Sequence, residues 1–262
     1  MKNNGKSDRR KTSLPLPWRF WVFSLCLGIL LAATETLLAI TGQEQIFAQR
    51  ARATYEKALA EYSSQTNNPV VAWQFARACY DWANWATNKS QNTMISQQGI
   101  DACQRSLLIT NSAAAHYYMG LNLGQLAQSE TFHGLRLVRE MEREWQAAAA
   151  LDEHFDFAGP DRSLGLLYRD APGWPLSLGS RHNALEFLQN AAMLAPDDPE
   201  NILNLGETYL KWGDTANAKR ELKILDAIWP KAQKNLAGEA WEPDWHDWLK
   251  RRDALRQKLD QN

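Results

Sequence analysis

The sequence predicts an all-α fold: a helical solenoid of about four helix-pair repeats plus capping helices, following an N-terminal transmembrane or signal segment. Three observations carry this expectation. A large apolar residue followed at once by a small one recurs at nearly constant intervals. Apolar positions return with helical spacing rather than strict alternation, and Gly, Asp and Pro stand where helices would stop and start. The 262 residues are 45% hydrophobic, ample for a packed core, which excludes wholesale disorder.

The chain opens with Lys2, Lys6, Arg9, Arg10, Lys11 and Arg19 against Asp8, then an apolar run over residues 20–33. Fourteen residues rise about 21 Å as a helix, short of a hydrocarbon core of about 30 Å. Reading on past Glu35 to Ile40 gives a span of 23 residues from Trp18. A basic leader before a short apolar stretch is the pattern of an export signal, either kept as an anchor or cleaved. Its positive charges stay on the cytoplasmic side, so the body is expected on the other. Cys26 follows Leu25 in mid-run, where a lipid-bearing cysteine would not stand. Residues 1–42 are therefore read as leader and membrane anchor or signal, and residues 43–262 as the helical-repeat domain. The whole chain has 29 basic and 30 acidic residues, and without its leader the body is acidic. An acidic body has no basic face for phosphate neutralisation, so nucleic-acid binding is not expected.

The elements follow in order. A helix over residues 45–62 places Tyr55, Leu59 and Tyr62 on one side and is expected to cap the N-terminal end. Three columns then repeat: Phe75, Met119, Leu164 and Leu205, always large; Ala76, Gly120, Gly165 and Gly206, always small; and Cys79, Leu123, Tyr168 and Tyr209 one turn on. The intervals are 44, 45 and 41 residues. Such columns describe a helix pressed closely against a neighbour. The first unit, from Pro69, is the most degenerate, and the second, from Ala113, has a longer second helix over residues 132–151. The third carries Ala184, Leu188, Ala191 and Pro196 and has extra residues around Ala171-Pro172-Gly173-Trp174-Pro175. The fourth runs from Pro199, turns at Gly213-Asp214, and continues through Ala218, Leu222 and Leu225 to Pro230. Trp241, Trp245 and Trp248 then recur with helical spacing, extended by Leu255 and Leu259. The polar face of that last helix (Lys250, Arg251, Asp253, Gln257, Lys258) would seal the open end of a solenoid.

Pro230 follows Pro199 by 31 residues, near the tetratricopeptide period of about 34, so the expected solenoid is tetratricopeptide-like. The stretches His116-Tyr117-Tyr118-Met119-Gly120-Leu121 and Gly159-Pro160-Asp161-Arg162-Ser163-Leu164-Gly165, with Pro172-Gly173-Trp174-Pro175, resemble the helical-repeat family of the TRAP transporter T component over about residues 70–230. That resemblance implies a protein of the bacterial inner membrane, single pass, with its repeat domain in the periplasm, or secreted if the leader is cleaved. It implies a scaffold that binds a protein partner through its concave groove, without enzyme activity or cofactor. The alternative it offers is a periplasmic solute-binding accessory of a TRAP-type uptake system, with a cavity for a small apolar ligand.

In such solenoids the first helix of each repeat lines the concave face. By register, the groove candidates are Trp73, Arg77, Tyr80 and Asp81 from the first unit and Tyr117, Leu121 and Gln125 from the second. The third contributes Arg162, Arg169 and Asp170, and the fourth Glu207 and Lys211. Aromatic residues with Arg suit a protein-binding groove, giving large contact area with directional hydrogen bonds. Asp161, after Pro160, is expected to cap its helix. Trp174, fixed between Gly and Pro, either tucks over the helix ends or is presented by its loop. Cys79 and Cys103 lie at similar height on antiparallel helices and are candidates for a disulfide in an oxidising compartment, with two buried thiols as the alternative. Asp152, His154 and Asp156 lack a partner cluster, so no metal site is expected, and no nucleophile, zinc or phosphate-loop motif occurs.

Overall fold

Short polar residues cap several of the helices. The first, α1 (Gly42–Ser64), is followed by α2 (Pro69–Ala83), whose cap Asn68 accepts hydrogen bonds from the amides of Val70 (3.1 Å) and Val71 (3.4 Å). Asn88 caps α3 (Lys89–Ile109) through the Gln91 amide at 2.9 Å. Then come α4 (Ala113–Ser129), α5 (Gly134–Leu151) and α6 (Phe155–Asp170). Ser180 caps α7 (Arg181–Leu194), Asp198 caps α8 (Pro199–Lys211) and Asp214 caps α9 (Thr215–Asn235). Each such bond satisfies an amide that the helix itself cannot, and Pro69 and Pro199 stand at first helical positions where no donor is needed. Between α8 and α9, Gly213 takes φ +81°, the left-handed turn expected of the Gly-Asp pair. A short 3-10 turn (Glu239–Trp241) leads into α10 (Glu242–Asp260).

The computed structural model describes residues 42–129, 134–173 and 175–261, and the chain divides into two units, Met1–Gln45 and Ile46–Asn262. The expected membrane or signal segment, Cys26 and Trp174 lie outside the described residues. Among those described, no strand forms, and no helix is long and apolar enough to cross a membrane.

Within Ile46–Asn262, successive helices pair antiparallel: α2 with α3, α4 with α5, α6 with α7, α8 with α9. First helices also touch the next first helix, α2 to α4, α4 to α6, α6 to α8, and α8 to α10. That ladder makes the unit solenoid-like, and α10 takes the place a fifth first helix would occupy.

The recurring small residues are what let the rods approach. Gly120 leaves no room for a methyl group: a Cβ there would lie 2.4 Å from Nε1 of Trp145 on α5. At Gly165 it would lie 2.6 Å from Leu188 on α7, and Ala76 is wholly buried. Gly206 is looser, with Leu255 at 3.2 Å and Glu221 at 3.3 Å. The large partners Phe75, Leu164 and Leu205 and the third column of Cys79, Leu123, Tyr168 and Tyr209 are all core residues. Tyr55, Leu59 and Tyr62 of α1 pack on this core, the Tyr62 ring stacking on Phe75 at 5.1 Å. Trp229, Trp245 and Trp248 close the other end, with edge-to-face contacts at 5.0 and 4.9 Å.

Two expectations are corrected. Asp161 does not cap α6; it lies inside that helix, 4% exposed, and accepts a hydrogen bond from Asn190 of α7. The helix instead begins in a left-handed turn, with Asp156, Phe157 and Ala158 at φ 50°, 56° and 61°. Arg251 does not belong to the outer polar face of α10. It points inward to α8 and bonds Glu200 at 2.9 Å, Glu207 at 2.8 Å and Asn204 at 2.6 Å. Two carboxylates two turns apart on α8 need a counter-charge where α10 shields them from water, and Arg251 is the cation in reach.

Candidate partner-binding face

The residues proposed for the groove fall into three groups. On α2, Trp73 stacks parallel to Tyr118 of α4, with centroids 5.9 Å apart and planes at 1°. Arg77 stands over the same ring at 5.9 Å and 3.8 Å from Asp81. Water reaches roughly half of the Arg77 and Asp81 side-chain surface, although neighbouring protein surrounds both. Tyr118, which joins Trp73 to Arg77, was not singled out from the sequence; its place immediately after Tyr117 was the available signal.

The second group is the floor. Tyr117 is 3% exposed, and Arg162 packs behind it. Gly159 makes this possible, since a Cβ there would lie 2.7 Å from the Tyr117 hydroxyl. Arg162 donates to the Tyr117 hydroxyl (3.4 Å), to Oδ1 of Asn201 (3.1 Å) and to the carbonyls of Asp156 and Phe157 (3.3 Å each). It also pairs with the Asp156 carboxylate at 3.4 Å. Burial works against its charge, but Tyr117, Asp198, Asp156 and Glu200 outweigh that and hold the guanidinium protonated. Around it, burial pushes Tyr80 up to about 12 and Asp81 up to about 6, the latter opposed by Arg77 and reinforced by Asp156. Asp198 is likewise raised by burial to about 6, with Arg162 opposing. Asp244 of α10, although exposed at its surface, is raised to about 7 by the protein around it and by repulsion from Glu200, Asp81, Asp156 and Asp198. Glu200 is the exception: burial disfavours its charge, yet Arg251 and Arg162 keep it below the ordinary carboxylate range. From the sequence, Asp156 enters only as a metal candidate and Asp198, Glu200 and Asp244 not at all, because these carboxylates meet only in space.

The third group is Asp170, which accepts from Arg169 at 2.7 Å and from Lys211 of the next repeat at 2.6 Å. These two cations hold its carboxyl below the usual range despite partial burial. Arg169 also reaches Thr208 Oγ1 at 3.3 Å. Glu207 is engaged by Arg251 as described above. Leu121 is half-buried against the core, and Gln125 is 6% exposed, donating to Asn84 Oδ1 at 2.6 Å. Gln125 thus ties α4 to the end of α2. The two cysteines, Cys79 and Cys103, are fully buried free thiols. Among the described residues no cluster of His, Cys, Asp and Glu could hold a metal ion. A surface depression of about 640 Å³ lies on α7, between His182 and Met193, and no groove candidate lines it.

No curated protein matches the chain. Residues 40–156 match the family model described as RMD1-3, regulator of microtubule dynamics protein 1-3. This finding corrects the resemblance to the TRAP transporter T component and the tetratricopeptide assignment, neither of which it supports. The large-small columns behind those readings report close helix packing, a steric requirement that unrelated helical repeats share. The matched stretch runs through α1–α5 into the turn that opens α6, so over those helices the chain is similar to the regulators of microtubule dynamics.

Proposed function

We propose that the unit Ile46–Asn262 is a non-enzymatic scaffold whose concave face, lined by α2, α4, α6 and α8, binds a segment of a partner protein. One observation carries the reading: first helices of successive pairs place Trp73, Arg77, Asp81, Asp170 and Lys211 along one ladder of helices, with charged groups left partly hydrated. Rigid aromatics beside partly hydrated charges offer contact area with directional bonding. The similarity to a family described as regulators supports a role exercised through partners. In this proposal residues 1–42 serve as a tether, a role that rests on their sequence.

Capture from extracts of the source cells tests the reading. The full chain is compared with an Arg77→Glu/Asp81→Lys/Lys211→Glu variant, which changes accessible charges and leaves the floor intact. Partners held by the original chain are expected to be lost from the variant. Identical partner lists would overturn the assignment of the face.

A further inference from the structure

The two ends of the unit Ile46–Asn262 meet. Phe47, 4% exposed, is the one buried residue described on α1, and its ring lies 5.9 Å from that of His246 on α10. One turn further along α1, Arg50 pairs with Glu239 at 2.9 Å and Glu242 at 2.5 Å. These partners belong to the 3-10 turn and the first turn of α10. The same short stretch also borders the concave face. Trp241 contacts Phe157 of the left-handed turn, with rings 5.8 Å apart, and Asp244 stands within electrostatic reach of Arg77 and Asp81 on α2. The helices therefore run from α2 through α8 to α10 and are joined back to α2 by α1.

That junction is far weaker than those between repeats. The rest of α1 is held on α2 and α3 by Tyr55 and Tyr62, and Tyr55 donates to Gln98 at 2.6 Å. Toward α10 it has one ring and one guanidinium. The Arg50, Glu239 and Glu242 side chains are 39%, 71% and 46% exposed, so salt screens their attraction. Regions with few buried contacts are those that open first.

We propose that Phe47 and Arg50 of α1, with Glu239, Glu242 and His246, form a latch that closes the concave face and opens to admit the partner segment. The proposal rests on the groove reading for its purpose, but its test needs no partner. In the full chain carrying Cys26→Ser, Asp81→Cys serves as reporter, since Cys79 and Cys103 are buried and do not compete for reagent. Labelling by a polyethylene-glycol maleimide is compared with labelling by iodoacetamide, which is small enough to pass a closed latch.

Arg50→Glu is expected to raise the rate with the bulky reagent on the order of tenfold relative to the small one. Adding Glu239→Arg and Glu242→Arg is expected to restore the slow rate. High salt should accelerate bulky labelling of the reporter chain and leave the small reagent unaffected. Helical content by circular dichroism checks that each variant is folded. A bulky-reagent rate unmoved by Arg50→Glu in folded protein overturns the latch, as does a charge-swapped variant that stays as fast as the single one. The latch can fail here while partner capture still succeeds, and capture can fail while the latch stands.

Discussion

Glycine at 120, 165 and 206 occupies one sequence column but meets three different walls. At Gly165 a methyl group would meet the branch point of Leu188 and, at 3.0 Å, its backbone nitrogen, which cannot swing away. At Gly206 the neighbours are a terminal methyl of Leu255 at 3.2 Å, which can rotate aside, and Cβ of Glu221 at 3.3 Å, a much smaller overlap than at Gly165. Gly165→Ala is therefore expected to lower the unfolding free energy by about 1–3 kcal/mol, the usual cost of overpacking. Gly206→Ala should cost little or nothing, because gained helix propensity offsets the small adjustment. Urea unfolding of the two variants checks the order, and equal losses would contradict it. The buried thiols make a second residue-level prediction. Burial raises the Cys79 and Cys103 pKa values far above the ordinary thiol range, leaving almost no thiolate to react. In a Cys26→Ser chain, a thiol reagent should find no reactive sulfur until denaturant is added and then two. Fewer than two would reveal a disulfide.

The start of α6 shows what one element demands of its neighbours. Three consecutive residues other than glycine in the left-handed region cost about 1 kcal/mol or more each. The turn persists because Arg162 and Asn201 bind its carbonyls, Asn201 donating to Phe157 O at 2.9 Å. Ala158, wholly buried at φ 61°, should tolerate glycine better than Ala115, which is equally buried within α4. Ala158→Gly is expected to be less destabilising than Ala115→Gly by about 1 kcal/mol, since glycine relieves strain at one site and weakens a helix at the other. Chemical denaturation measures the difference. The α8–α10 junction is set by charge. Arg251 and its carboxylates are about three-quarters shielded from solvent, so removing the cation strands Glu200 and Glu207. Arg251→Met should cost about 3 kcal/mol or more. Glu200→Gln/Glu207→Gln in that background should recover much of the loss, which a double-mutant cycle would show.

Across Ile46–Asn262, carboxylates from four parts of the unit converge beside α2, α6, α8 and α10, and their crowding links stability to pH. Asp244 is raised to about 7, and Asp81 and Asp198 to about 6, so the folded protein keeps protons that the unfolded chain releases near pH 4. Their effect is therefore a stability that falls as pH rises from about 4 to about 7 and then levels off. Urea midpoints should be higher at about pH 5 than at about pH 7.5, and Asp244→Asn should shrink the difference. A variant with an unchanged pH dependence would show that Asp244 is not crowded in solution.

Helix positions were readable from one-dimensional order because caps, prolines and apolar spacing act within a turn or two of chain. Pro69, Pro199 and the Gly213-Asp214 turn do where they stand what their chemistry requires. The packing columns were equally legible, since a rod that must touch its neighbour needs a small residue at the crossing, and Ala76, Gly120 and Gly165 recur for that reason. Family and surface roles were not. Gln125 shares the register of exposed groove positions but turns to Asn84, and Arg251 was placed in solvent when its charge belongs to α8. Such assignments depend on electrostatics between residues more than forty positions apart, whose separation is set by how the helix pairs stack. The contact of Phe47 and Arg50 with α10 depends on how all the intervening helix pairs stack, which no local pattern of side chains encodes.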